Sequence, residues 1–326
     1  MTIDSKSPLN SYLPTASRLV YGCMGLGGGW NETPVSENDI YQARTIIDTA
    51  LETGINVFDH ADIYTFSKAE STFGQALADA PSLRDQMLIQ SKCGIRFEDN
   101  SGPGRYDFSA HWITESVHGI LERLRIEKLD VLLLHRPDPL VELDELAGTL
   151  EKLKSDGKFD FLGVSNMNSH QIRYLQSALN MPIVANQIEM SLAKTDWLDN
   201  GVLVGSDGNH NVNFDSGLLE HCQLENIQLQ AWGSLAQGRF SENGLHSQDE
   251  SIRRTSQRVL ELAQKYQVPG EAIVIAFLLR HPARVQPVIG TTNPDRIRAT
   301  AKATKVTLTR EEWYSLYVSS RGNPLP

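Results

Sequence analysis

Four ionisable side chains stand where successive apolar runs give out. Asp59 and Tyr64 lie in Val57-Phe58-Asp59-His60-Ala61-Asp62-Ile63-Tyr64, Lys92 follows Leu88-Ile89-Gln90-Ser91, and His135 follows Val131-Leu132-Leu133-Leu134. A phenol with an ammonium and a carboxylate beside it is a proton donor suited to carbonyl chemistry. Tyrosine, with an ordinary pKa near ~10, is a weak acid at neutral pH; a neighbouring Lys92 favours its phenolate and is expected to pull that value down. Lys92 keeps its own proton at a part-buried strand end if a carboxylate such as Asp59 stays paired with it. His135 can hydrogen-bond a carbonyl oxygen and hold it toward Tyr64. A proton delivered to oxygen needs a hydride at carbon. The chain has no redox group of its own, so that hydride must come from a cofactor. Singly, Asp59 also reads as a turn-former, Lys92 as a solvated end and His135 as a polar residue before Pro137; together they read as one shared site.

The elements that must position these groups are legible in the patterning. Short Val, Ile and Leu-rich runs at 19–22, 55–58, 87–91, 131–134, 161–164, 183–187, 227–232 and 285–289 alternate with amphipathic stretches, the pattern of β-α units on a parallel sheet. Helical periodicity fits 38–52, 69–80, 113–125, 143–155, 170–179, 217–225, 252–266, 271–280, 294–303 and 310–318. Ser36 with Asp39 has capping-box spacing, Gly54 and Gly157 follow helices, and Pro269 precedes one. Eight strands with one or two surplus helices predict an α/β fold, a (β/α)8 TIM barrel occupying 1–326 as a single domain. No linker or composition shift divides it. In such a barrel, residues at the C-terminal strand ends converge on one open face, which is where Asp59, Lys92 and His135 fall. The polar, Gly- and Asn-rich stretch 191–216 reads as a long, mobile loop on that face.

Composition narrows the class. The 326 residues are 40% apolar and 21% charged, enough for one large core. A net charge of −10 repels phosphate backbones and anionic lipids, which argues against nucleic-acid and membrane partners. With no long apolar run and no signal-like start, a cytoplasmic protein is expected. Cys23, Cys93 and Cys222 are odd in number and lack metal-ligand spacing, so they read as reduced thiols. His60, Asp62 and His135 could be imagined as metal ligands, but adjacent strand positions point to opposite faces, so no metal is expected. Gly25-Leu26-Gly27-Gly28-Gly29-Trp30 fails the dinucleotide-fold glycine spacing. Nothing in the pattern speaks to oligomeric state.

Six ordered motifs between Arg18 and Leu316 resemble the aldo-keto reductases, most of all a bacterial branch of YdhF-like oxidoreductases. They are Asp59 to Tyr64, Ser91-Lys92-Cys93-Gly94, Asp130 to Asp138, Gly157-Lys158 with Gly163-Val164-Ser165-Asn166, Asn186-Gln187, and Pro287-Val288-Ile289-Gly290. The resemblance implies a nicotinamide dinucleotide extended across the C-terminal face, reversible carbonyl reduction, and a catalytic tetrad of Asp59, Tyr64, Lys92 and His135. It places Ser165, Asn166 and Gln187 at the nicotinamide carboxamide, with Trp232 stacked on the ring. Asp59, Gly22 and Met24, with Cys23, border the nicotinamide end. Gly233, Ser234, Leu235, Gln237, Gly238 and Arg239 lie over the pyrophosphate. Trp30 walls a substrate pocket with Tyr64 and His135.

One motif departs from the family. Relatives that prefer the 2′-phosphorylated cofactor carry a Lys-Ser pair after the last strand; here the chain reads Gly290-Thr291-Thr292-Asn293. Thr291 and Thr292 before a helix, with Arg296, can still hold a phosphate. The expectation is therefore an oxidoreductase reducing an aldehyde or ketone with NADPH, NADH staying open. Two alternatives are a nicotinamide-binding sensor subunit with slow turnover and a Schiff-base aldolase using Lys92.

Overall fold

The computed structural model describes residues 6–206 and 212–326. Eight parallel strands close into a barrel: β1 (Val20–Gly22), β2 (Val57–Asp59), β3 (Leu88–Cys93), β4 (Leu129–Leu134), β5 (Phe159–Ser165), β6 (Ile183–Glu189), β7 (Gln228–Trp232) and β8 (Gln286–Ile289). Each pairs with its sequence neighbours, and β1 pairs with both β2 and β8 to complete the ring. All eight expected runs become strands, shifted by a few residues at their ends.

Local sequence explains the helices that separate them. Helix α1 (Glu37–Glu52) begins at a capping box in which Asp39 N–H donates to Ser36 Oγ at 3.3 Å and Ser36 N–H donates to Asp39 Oδ2 at 2.8 Å. Helices α2 (Lys68–Ala78) and α3 (Ala110–Leu124) follow β2 and β3 and pack on the outside of the barrel. Gly54 and Gly157 take positive φ after α1 and α4 (Leu143–Ser155), the stop signals expected of them.

Strand alternation divides the interior from the helix layer. On β3, Leu88, Gln90 and Lys92 point into the barrel, while Ile89 and Cys93 join the outer core against the helices. Val20, Val57, Val131 and Val184 fill the lower interior, and the turn Pro8–Ser11 closes the bottom with Leu9. Each fully buried Val or Leu contributes roughly 1.5–3 kcal/mol, so this plug is a substantial fraction of the barrel's cohesion. The mouth stays open for chemistry.

The stretch 191–216 differs from its expectation in part. It contains a seven-residue helix, Asp196–Val202, whose Trp197 is buried in the core and whose Asp199 accepts from Tyr317 Oη at 2.6 Å and pairs with Arg321 at 3.0 Å. Burial and charge pairing fasten this half to the C-terminal helix Arg310–Arg321, so it is not a free loop; residues 207–211 lie outside the described residues.

Candidate active site

Asp59 is the last residue of β2 and Lys92 the penultimate residue of β3, so both enter the mouth from neighbouring strands. Both are almost wholly buried. Lys92 Nζ lies 2.8 Å from Asp59 Oδ1, 2.8 Å from Asp59 Oδ2 and 2.8 Å from the carbonyl oxygen of His60. Burial works against the ammonium, but Asp59 and Tyr64 outweigh it and hold the Lys92 pKa above its ordinary value. The expectation that Asp59 keeps Lys92 protonated agrees with this geometry.

Tyr64 overturns a different expectation. Its half-buried ring lies 4.9 Å from Lys92 Nζ, yet its pKa is raised rather than lowered, because burial penalises the phenolate more than Lys92 relieves it, and Asp59 adds repulsion. The phenol is thus fully protonated at neutral pH. His135, just beyond β4, presents its ring edge-on to Tyr64 with centroids 6.0 Å apart. Burial, with Lys92 and Arg136 nearby, drives the His135 pKa down to about 2, so the imidazole is neutral. Among the described residues its Nδ1 has no partner, and its backbone is fixed by donation to Cys93 O at 2.9 Å. A loaded phenol and a neutral imidazole share one side of the mouth, above a fixed positive charge.

Of the remaining expected residues, some reach the same face and others turn into the core. Ser165 Oγ donates to Gln187 O at 2.9 Å, and Asn166 Nδ2 donates to Ser165 Oγ at 2.8 Å and to His135 O at 3.2 Å. Trp232 Nε1 donates to Asn166 Oδ1 at 3.0 Å, so its indole is half-exposed at the mouth and is not a core ring. Met24 is exposed, whereas Cys23 is wholly buried with Sγ directed toward Tyr21 O at 3.8 Å. The side chain of Cys23 therefore faces the core and cannot border a ligand. Ser234 is likewise turned inward, its Oγ donating to Val288 O at 2.6 Å, which leaves only its backbone for a phosphate; Gln237 and Arg239 beyond it are exposed.

Helix Pro294–Ala301 corrects the phosphate reading. Asn293 Oδ1 already accepts from Asp295 N at 2.9 Å and Arg296 N at 3.4 Å, and Pro294 has no N–H to offer. Near Gly290 stand the hydroxyls of Thr291 and Thr292 and the exposed Arg296 guanidinium, which rests 3.4 Å from Glu271 Oε1 and 3.4 Å from the position a Cβ would take on Gly238.

Three aromatic rings extend the expected Trp30 wall. Trp30 meets Phe66 at 5.5 Å and Phe66 meets Phe97 at 5.4 Å, all three exposed. Phe66 sits in a run of left-handed residues, Thr65, Phe66 and Ser67, directly after Tyr64. That strained turn is held by Thr65 Oγ1 donating to Leu26 O at 2.9 Å and Ser67 Oγ donating to Asp62 O at 2.7 Å. Nothing in the sequence pattern marks a left-handed turn without glycine, so Phe66 and Phe97 went unread.

Behind the mouth lies a second buried polar group. His60 packs edge-on against Phe73 with centroids 4.5 Å apart, on the outer side that alternation assigns it. Glu70 accepts from Ser91 Oγ at 2.6 Å and Arg123 Nε at 2.8 Å. Burial and the neighbouring Glu70 raise the Asp62 pKa to about 8, with Arg123 and Ser116 opposing. Among the described residues no cluster of His, Cys, Asp and Glu is suited to a metal. A neutral Asp62 is compatible with the core, so its contribution to stability is fully present below the ordinary carboxyl value near ~3.9 and is lost as pH rises through about 8. The parent protein should therefore lose thermal stability relative to Asp62→Asn between about pH 5 and pH 8, by roughly 1 kcal/mol per pH unit at most, and the gap should level off above that. Melting curves of both proteins across this range provide the check; parallel curves would refute the assignment.

Barrels of this architecture carry their chemistry at the C-terminal strand ends, and every one of the four expected ionisable groups lies there. The chain is a (β/α)8-barrel enzyme. It belongs to the aldo-keto reductase family: the model of the Aldo/keto reductase family matches residues 18–317. It is 34% identical over 310 residues to a 6-dehydroglucose reductase of Agrobacterium fabrum, covering 94% of this chain and 95% of that one. It is 31% identical to the oxidoreductase YdhF of Escherichia coli, covering 96% of each. Among solved structures, an aldo-keto reductase of Klebsiella pneumoniae in complex with NADPH superposes with a TM-score of 0.71 at 21% identity, over 95% of this chain and 92% of that one. The glycerol dehydrogenase of Gluconobacter oxydans gives a TM-score of 0.72 at 24% identity, over 95% and 94%. Family membership makes the chain an NAD(P)H-dependent oxidoreductase acting on small carbonyl compounds. Among the described residues no helix is long and apolar enough to cross a membrane.

Proposed function

We propose that this single-domain enzyme reduces an aldehyde or ketone to an alcohol with NADPH, Tyr64 giving the proton. The observation that carries the reading is the buried Lys92–Asp59 pair, 2.8 Å apart, beneath a protonated Tyr64 and a neutral His135. Bound nicotinamide supplies a hydride to the carbonyl carbon. Tyr64 holds the proton at its hydroxyl until negative charge grows on the carbonyl oxygen, and Lys92 then stabilises the phenolate left behind. His135, neutral at every working pH, orients the oxygen by hydrogen bonding without competing as an acid.

The donor set suits the cofactor. A carboxamide needs both donors and acceptors; Ser165, Asn166 and Gln187 present both, and among the described residues no donor reaches Gln187 Oε1. The exposed rings of Trp30, Phe66 and Phe97 favour a substrate with an extended apolar or ring face. The name of the Agrobacterium relative makes oxidised sugars a first group to assay. Purified protein incubated with NADPH and a panel of sugar aldehydes, aldehydes, ketones and quinones should consume cofactor and yield the matching alcohol; no turnover with any of them would contradict the reading.

The aldolase alternative fails on Lys92. A Schiff base needs a free amine, whereas this ammonium is held charged and bonded to three oxygens. The preference for NADPH rests on Arg296. Removing a charge-assisted bond to phosphate costs about 1.5–3 kcal/mol, so Arg296→Ala should raise the KM for NADPH about tenfold or more while the KM for NADH changes little. Equal effects on both would place the phosphate elsewhere.

A further inference from the structure

Branched apolar residues normally fill the interior of such a barrel. Here four glutamines occupy it beneath the mouth: Gln90 on β3, Gln187 on β6, Gln230 on β7 and Gln286 on β8, all almost wholly buried. Gln187 lies in register with Gln230, Gln230 with Gln286, and Gln90 with Asp59. Gln90 Nε2 donates to Asp59 Oδ1 at 2.6 Å and to Gln230 Oε1 at 2.8 Å. Gln187 Nε2 donates to the same two oxygens, at 3.0 Å and 3.1 Å. Gln230 Nε2 donates to Gln90 Oε1 at 2.9 Å and to Gln286 Oε1 at 3.0 Å, and Gln286 Nε2 donates to Ser17 O at 2.6 Å.

The two ends of this network accept only. Ser17 offers a backbone carbonyl, and Asp59 offers a carboxylate already bonded to Lys92. Because each end demands a donor, the orientation of every amide is fixed in turn. Gln286 must point its nitrogen at Ser17, which turns its oxygen to Gln230; Gln230 must then present its oxygen to Gln90 and Gln187, whose nitrogens reach Asp59. Buried amides are retained only when satisfied, and this set satisfies itself in one arrangement. That arrangement puts three donors on Asp59 Oδ1 and, among the described residues, leaves Gln187 Oε1 without a donor.

We infer that Gln90, Gln230 and Gln286 are positioning residues: they hold the Asp59 carboxylate in place against Lys92 and lock the Gln187 amide with its oxygen offered to the nicotinamide carboxamide. The inference rests on the proposed roles of Asp59, Lys92 and Gln187. Hydrogen bonds fix the direction of a buried carboxylate, so removing Gln90 should leave Asp59 Oδ1 free to turn and should loosen its contact with Lys92.

The test is the triple variant Gln90→Leu, Gln230→Met, Gln286→Leu, which replaces donors and acceptors together with apolar chains of similar length. Such joint replacement is tolerated far better than stranding one partner. Should it fail to fold, Gln90→Met, which removes the shortest donor to Asp59 together with both bonds between Gln90 and Gln230, carries the same test. Parent and variant are compared in thermal melting, in NADPH affinity by quenching of tryptophan fluorescence, and in kcat and KM for NADPH measured separately. The expected result is a folded variant whose NADPH affinity is weaker by about fivefold and whose kcat is lower by about tenfold. A folded variant with the parent's NADPH affinity and kcat would overturn the inference. Absence of carbonyl reduction in the parent would instead refute the proposed function, so the two failures are distinct.

Discussion

Tyr64→Phe should lower kcat/KM for carbonyl reduction by about 10²–10⁴-fold while leaving the dissociation constant for NADPH within about twofold. The hydroxyl is the only atom changed, and the ring keeps its edge contact with His135 at 6.0 Å. No other group in the mouth can replace the donor. His135 is driven to about 2 and has no proton to spare without becoming an anion, and the Lys92 protons are directed at Asp59 and His60 O. Because the Tyr64 phenol is raised by burial, the loss should persist at neutral and mildly alkaline pH. A variant retaining a tenth or more of the parent's kcat/KM would remove Tyr64 from the donor role.

Asp59→Asn should cost both stability and activity. Lys92 is as buried as a core leucine, and deleting its counter-charge leaves an ammonium facing a carbonyl, a neutral amide and the Tyr64 ring, none of them charged. Breaking a buried ion pair from one side typically destabilises by about 3–5 kcal/mol, so urea unfolding should show a clearly lower midpoint. Asp59→Leu combined with Lys92→Met should recover most of that stability, since apolar pairs often match buried ion pairs, and should recover none of the activity. Recovery of activity in the double variant would mean that the pair serves folding alone.

Much of this was legible in the chain because apolar runs and their endings follow the physics of the parallel barrel. All eight strands, and Asp59, Lys92 and His135 at the ends of three of them, come from hydrophobic periodicity alone. The direction of the Tyr64 shift does not, because a sequence displays the neighbouring charge of Lys92 but not the burial that outweighs it. The helix Asp196–Val202 is too short to announce itself; it is held by Trp197 in the core and by Asp199 against Tyr317 and Arg321, contacts from more than a hundred residues away in sequence. Glutamine in a strand reads as an outward residue. Yet Gln90 shares its alternation with Lys92, and Gln230 with Trp232, so the two-residue period held the signal that the barrel interior is polar at this level. The inward face of Ser234 and the burial of Cys23 had no such signal, since both depend on how a turn leaves its strand.

The central claim is transfer of hydride to a carbonyl carbon with a proton from Tyr64. Its most direct test is mass spectrometry of the alcohol formed by the parent enzyme from NADPH deuterated at both C4 positions. Every product molecule should carry one deuterium on the carbinol carbon, and Tyr64→Phe should form that product at least about a hundredfold more slowly under the same conditions. Alcohol without deuterium, or undiminished labelled product from the variant, would contradict it.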